Sequence, residues 1–211
     1  MKIIRIFALA GFLALPGGTA SAGIYDDILH ASEQGDTERV VDLLRRGMDV
    51  NTTDPQGSSL LLIAARTGNA KLAKFLIDNR ANPERRNRYG DTPLMIASML
   101  GHTDIVRLLL DRKAETNHTG WNPLHYAAFE NRAEIITLLV SAGADINLKA
   151  PNTHTALMLA AKRGHMESVR VLIGLGADAS ISDKDEGTAV AMARTAGHTD
   201  LAKFLERSGA R

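Results

Sequence analysis

The chain contains no cysteine. It therefore forms no disulfide, builds no thiolate-ligated zinc or iron–sulfur centre, uses no cysteine nucleophile and offers no cysteine for an N-terminal lipid, which excludes a bacterial lipoprotein. An excess of charge is also missing. Lys and Arg total 25 against 24 Asp and Glu, so a formal charge of +1 gives no electrostatic reason for a nucleic-acid or anionic-membrane partner. Long apolar runs are absent too: even the stretch from Ile3 to Leu15 has 13 residues, short of the roughly 20 that a bilayer-spanning helix needs. Aromatic residues make up 4% of positions and include a single tryptophan, Trp121. No G-x-S-x-G elbow, phosphate-binding G-x-x-x-x-G-K-[ST], H-E-x-x-H or paired-carboxylate pocket is written anywhere, which predicts a non-enzymatic chain. What remains is 45% hydrophobic and 23% charged over 211 residues, the balance of one ordinary domain or one extended array.

The N-terminal segment reads as an address. Lys2 and Arg5 precede the apolar run Ile6 to Leu15, followed by Pro16-Gly17-Gly18 and then Ala20-Ser21-Ala22, the order of a secretory signal peptide cleaved after Ala22. Removal of residues 1–22 leaves a nearly neutral mature chain, 23–211, without a stable membrane anchor. The short basic start and A-x-A site have a bacterial form, so the periplasm is the expected location and the medium the second choice.

The rest of the chain repeats itself. Gly35, Gly68, Gly101, Gly164 and Gly197 each follow an Ala-rich apolar stretch, and Asn131 takes the one missing place, giving spacings of 33, 33, 30, 33 and 33 residues. In the third unit Thr92 can cap a first helix, Pro93 suits its first turn, and Gly101 stops it; Thr103 or Asp104 then starts a second helix. Ile105, Val106, Leu108 and Leu109 recur at helical spacing, yet two such helices cannot enclose a core, so neighbouring units must stack. In the first unit Asp26 or Asp27 is expected to start the first helix. The approximate units are 24–54, 55–87, 88–117, 118–147, 148–180 and 181–211, with atypical, polar-faced ends. The connection Asn117-His118-Thr119-Gly120 is three residues shorter than its counterparts, which predicts a stubby turn and a notch in the row.

The segments Thr92-Pro93-Leu94, Asn122-Pro123-Leu124-His125-Tyr126-Ala127-Ala128 and Thr155-Ala156-Leu157, with Gly143-Ala144-Asp145-Ile146-Asn147 and Gly176-Ala177-Asp178, resemble the T-P-L-H-x-A-A and G-A-D-x-N motifs of the ankyrin repeat. The resemblance covers roughly residues 24 to 211 as six units. It implies an all-α solenoid of stacked helix pairs with short β-hairpin-like fingers, acting as a protein-binding scaffold.

His102, His165 and His198 follow the repeat glycine, and His125 sits in the N-P-L-H segment, which are scaffold positions of that family. Asn51 and Asn117 fall in glycosylation patterns, but at the repeat's turn, where hydrogen bonding explains them. His118 and His154 lie in neighbouring fingers with no carboxylate at ligand spacing, so they are expected to be partner contacts, and neither a metal nor another cofactor is expected. Tyr126 is expected in the core. At positions the scaffold leaves free, Trp121, Phe129, Tyr89, Met99 and Leu100 form the expected apolar contacts of a partner-binding site. Arg86, Arg88, Asp91, His118, Glu130, His154, Lys162 and Arg163 form its polar rim. The cluster Arg80, Arg85, Arg86 and Arg88 is placed to meet acidic groups on that partner.

The resulting expectation is an exported, monomeric module that binds another protein, either inhibiting a toxic enzyme or supporting a resident one. The rival is a small-ligand or metal receptor, or an enzyme, using the notch with His118, His154 and Glu130. A third reading is a structural spacer.

Overall fold

The computed structural model describes residues 18–209, with side chains from Gly23 onward. The apolar part of the expected signal peptide, residues 1–17, lies outside the described residues. Twelve helices follow in pairs: α1 (Gly18–Glu33) with α2 (Thr37–Arg45), α3 (Leu60–Thr67) with α4 (Ala70–Asp78), α5 (Pro93–Leu100) with α6 (Thr103–Asp111), α7 (Pro123–Phe129) with α8 (Ala133–Ser141), α9 (Ala156–Lys162) with α10 (Met166–Gly174), and α11 (Ala189–Thr195) with α12 (Thr199–Arg207). A two-residue ladder, β1 (Ser182–Asp183) and β2 (Gly187–Thr188), precedes the last pair. First helices pack in one row, α1 on α3, α3 on α5, α5 on α7, α7 on α9 and α9 on α11; second helices from α2 to α10 form a parallel row.

The two rows differ in burial because they differ in neighbours. A first helix is enclosed on both sides and beneath, so Leu60 to Ala65, Pro93 to Ser98 and Ala156 to Ala161 are all buried. A second helix keeps one face in water and buries a stripe: Ile105, Val106 and Leu109 in α6, and Ile135, Ile136 and Leu139 in α8.

Helix starts follow the expected capping. Ser59, Thr92, Asn122, Thr155 and Thr188 each accept a hydrogen bond from the backbone N–H three residues on, and Pro93 and Pro123 open their helices. One expectation needs correction. Asp26 and Asp27 lie inside α1, which already runs from Gly18. The second helix of the third repeat starts at Thr103, as expected, and His102 before it makes no side-chain cap bond, since its ring is used elsewhere.

That use is stacking between repeats. A Cβ on Gly68 would lie 2.6 Å from His102 Cε1, and one on Gly164 would lie 2.5 Å from His198 Cε1. His165 Nε2 donates to Phe129 O at 3.0 Å, and Arg132 Nε donates to Met99 O at 3.2 Å. From the third repeat to the sixth, the residue after the repeat glycine, or after Asn131, thus lies over the end of the preceding first helix, which gives His102, His165 and His198 the scaffold role expected of them. Gly164 also has φ +76°, so Gly164→Ala combines left-handed strain with an overlap. A loss of about 2 kcal/mol is expected in urea unfolding. Asn131 tolerates the same backbone region at φ 56° and accepts from Ser168 Oγ at 2.9 Å, which ties it to the next repeat.

A ladder joins the turns that precede the fingers. Asn51 Oδ1 accepts from Asn82 N, Glu84 Oε1 from Glu115 N, Asn117 Oδ1 from Asp145 N and Asn147 Oδ1 from Asp178 N, all at 2.7 to 2.9 Å. Asn51 and Asn117 are therefore structural rungs.

Candidate functional site

Four fingers close at their base, three through a single backbone bond, Asp54 N to Ser58 O, Asn87 N to Asp91 O and Ala150 N to His154 O, and the last through the ladder between β1 and β2. The fourth repeat has no such closure among the described residues. Its connection from His118 to Trp121 is too short for a hairpin, and beside it lies a hollow of about 300 Å³ lined by Asn117, His118, Thr119, Gly120 and residues 148–151. The expected stub and notch are both present.

Trp121 ends that stub and lies half-buried over its own helix. Its ring centroid is 5.3 Å from Tyr126, 5.7 Å from Phe129 in an edge-to-face arrangement, and 6.0 Å from His125. Arg163, from the next repeat, sets its guanidinium 4.2 Å from the centre of the Phe129 ring. Tyr126 is a correction: it is half-buried, and its hydroxyl donates to Asp91 Oδ1 at 3.0 Å. It alternates away from the buried Leu124, Ala127 and Ala128 and so meets the preceding finger. Burial, and then the neighbouring Asp91 carboxylate, push the Tyr126 phenol up to about 12.

The remaining site residues divide by exposure. Tyr89, at 69% exposure, and Leu100 are open to solvent, as are Arg86, Arg88, Lys162 and Arg163; Asp91, Met99, Phe129 and Glu130 are half-buried. Arg88 donates to the Tyr89 hydroxyl at 2.6 Å, and Lys162 pairs with Glu186 at 2.6 Å. The expectation that His118 and His154 contact a partner is corrected, because they are 4% and 5% exposed. With no hairpin above it, His118 folds inward and meets Arg86, Glu84 and Glu115; His154 forms the base of its own finger, beside Asn152 and Glu186. The absence of carboxylates around these rings is corrected by the same contacts. Glu130 pairs with neither histidine among the described residues, so the trio imagined for a notch receptor is not assembled.

His125 behaves as scaffold. Its Nε2 donates to Leu148 O at 2.8 Å and its Nδ1 accepts from Asn122 N at 3.2 Å, an arrangement that satisfies only the neutral ring. Burial holds its pKa below the usual 6.5, against the smaller opposing effect of Leu148 O. The neutral ring's contribution to stability is fully present above the unfolded pKa near 6.5 and is lost as pH falls through the lower folded value. Titration of the His125 ring by NMR will place its midpoint below the ordinary 6.5, and the unfolding free energy will decline below pH 6.5.

Known proteins with this arrangement agree with the motif reading. A family model described as ankyrin repeats (3 copies) matches residues 28–119, 81–150 and 124–211. An ankyrin repeat protein of Rickettsia bellii is 27% identical over 121 residues, covering 53% of this chain and 35% of the relative. The ankyrin repeat and SAM domain-containing protein 6 of Rattus norvegicus is 34% identical over 134 residues, covering 63% of this chain and 12% of the relative. The aligned region therefore spans well under two thirds of either relative. The crystal structure of the ankyrin repeat protein EF0377 superposes with a TM-score of 0.78 at 30% identity, covering 86% of this chain and 97% of that one.

Proposed function

The chain belongs to the ankyrin-repeat family, whose stacks generally serve as protein–protein interaction scaffolds and are typically non-catalytic, and from that premise we propose that it binds a partner protein along the finger side of its third to fifth repeats. The observation that carries this reading is the aromatic platform of Trp121, Tyr126 and Phe129 beside an absent hairpin. A groove interrupted at one finger admits a protruding element of the partner, and half-buried aromatics are the residues that gain most from being covered. Tyr89 and Leu100 extend the apolar surface, while Arg88 and Arg163 supply cations with no carboxylate partner among the described residues.

Export to the periplasm, monomeric state and a role as inhibitor of a toxic enzyme or support for a resident one complete the proposal. The segment from Lys2 to Ala22 supports export by its order of charge, apolar run and small-residue site. Co-purification from periplasmic extract, using residues 23–211 beside a Trp121→Ala/Phe129→Ala form checked by circular dichroism, tests it. A partner retained only by the unsubstituted chain supports the surface. A partner held equally by both forms removes it.

A further inference from the structure

Two central repeats, the second and third, depart from the pattern of this chain at the turn before the finger, and both departures point at one ring. The position held by Asn51, Asn117 and Asn147 is Glu84 in the second repeat. The position held by Asp49, Asn82, Asp145 and Asp178, whose side-chain oxygens accept from the N–H two residues on, is Glu115 in the third. Glu115 has no such local bond among the described residues. One methylene longer than Asp, it sends Oε2 to within 3.3 Å of His118 Nδ1. Glu84 keeps its rung through Oε1 and turns Oε2 toward His118 Nε2 at 3.4 Å. Those last two atoms, Glu84 Oε2 and His118 Nε2, are both buried and both lack a hydrogen-bond partner.

Two facing, unpartnered polar atoms are costly unless something satisfies them. One oxygen from each carboxylate and one ring nitrogen all lie within 4.8 Å of one another. Neighbouring ligands around a tetrahedral zinc with arms of about 2.0–2.1 Å stand about 3.3 Å apart, close to the separation of His118 Nε2 and Glu84 Oε2. A nitrogen with two carboxylates suits zinc and its transition-metal neighbours, whereas calcium and magnesium favour oxygen-only cages with more ligands. Glu115 is exposed, so an ion has a path from solvent, and a fourth position is left for water or for a group from a bound protein.

We propose that Glu84 and His118 Nε2, joined by Glu115 when its exposed side chain turns from Nδ1 toward Nε2, form a zinc-class divalent metal site at the base of the shortened finger. The site has one internal competitor. Arg86 Nη2 donates to His118 Nδ1 at 2.8 Å, and a ring that gives its Nε2 lone pair to a metal must carry its proton on Nδ1. The exposed Arg86 therefore swings away when the ion enters, and its charge opposes binding until it does. Removing that guanidinium strengthens the site, an outcome that a purely structural histidine–carboxylate contact does not share.

Untagged chain 23–211 titrated with zinc chloride by calorimetry tests this, with magnesium chloride as the hard-ion control. The expected result is one zinc per chain, little or no magnesium binding, affinity weakened about tenfold or more in Glu84→Gln and in His118→Ala, and tighter binding in Arg86→Ala. Glu84→Gln retains the side-chain oxygen that accepts from Glu115 N, so it reports the site even where His118→Ala fails to fold. Absence of zinc binding overturns the proposal. So does zinc binding that Glu84→Gln leaves unchanged, because one of the other histidines is then the ligand.

Discussion

Trp121→Ala will weaken the complex with the partner by about 30-fold or more, corresponding to about 2 kcal/mol. The ring stands where the fourth finger lacks its hairpin, on the side proposed for the partner, and its half-buried state leaves further apolar area to cover. Tyr126 and Phe129 hold the indole from beneath at 5.3 and 5.7 Å, so it presents a surface already ordered before binding, and little side-chain entropy is lost. Phe129→Ala acts on the same contact, and its effect will not add fully to the first. Trp121→Phe restores part of the affinity if apolar cover is what matters. Arg163→Ala and Arg88→Ala lower the association rate and its salt dependence more than the dissociation rate. Surface plasmon resonance against the captured partner separates these effects.

Leu139→Ala will lower the unfolding free energy by about 3 kcal/mol. Leu139 is fully buried in α8, which packs on α6, on α7 and on α10, so the deleted methyl groups leave a cavity between rigid neighbours on three sides. A repeat stack adds a consequence. Each unit is held only by the units beside it, and weakening a central interface uncouples the two halves of the row. Urea unfolding of Leu139→Ala is therefore expected to broaden or split into two steps, whereas Leu205→Ala, also fully buried but in the terminal α12, frays one end. A single sharp transition at an unchanged midpoint contradicts this picture of the core.

The fold was legible because its signals are redundant. A helix cap, a proline, an apolar stripe and a stopping glycine recur at nearly constant spacing, and an exception such as Asn131 is read from the positions around it. Even the missing finger showed as a three-residue deficit in the sequence. The site was legible only in part. Tyr126 lies within a run of buried residues, Leu124, His125, Ala127 and Ala128, and one-dimensional pattern does not reveal that its hydroxyl reaches Asp91 in the preceding finger.

His118 defeated the sequence reading for a related reason. Finger residues are exposed where a hairpin carries them outward, and the same deficit that removes the hairpin lets this ring fold inward. Glu115 stands three residues before it in an irregular turn, where spacing alone does not bring side chains together, and Glu84 comes from the preceding repeat. Only alignment of the turn positions, where glutamate replaces asparagine at Glu84 and aspartate at Glu115, marks the two together.

Amide hydrogen exchange of the chain with and without its captured partner tests the central claim most directly. Binding along the finger side predicts slowed exchange in residues 85–100 and 118–130 and at the ends of α9, with the second helices α6, α8 and α10 unchanged. Protection confined to the second-helix row, or to the terminal repeats, would contradict the account.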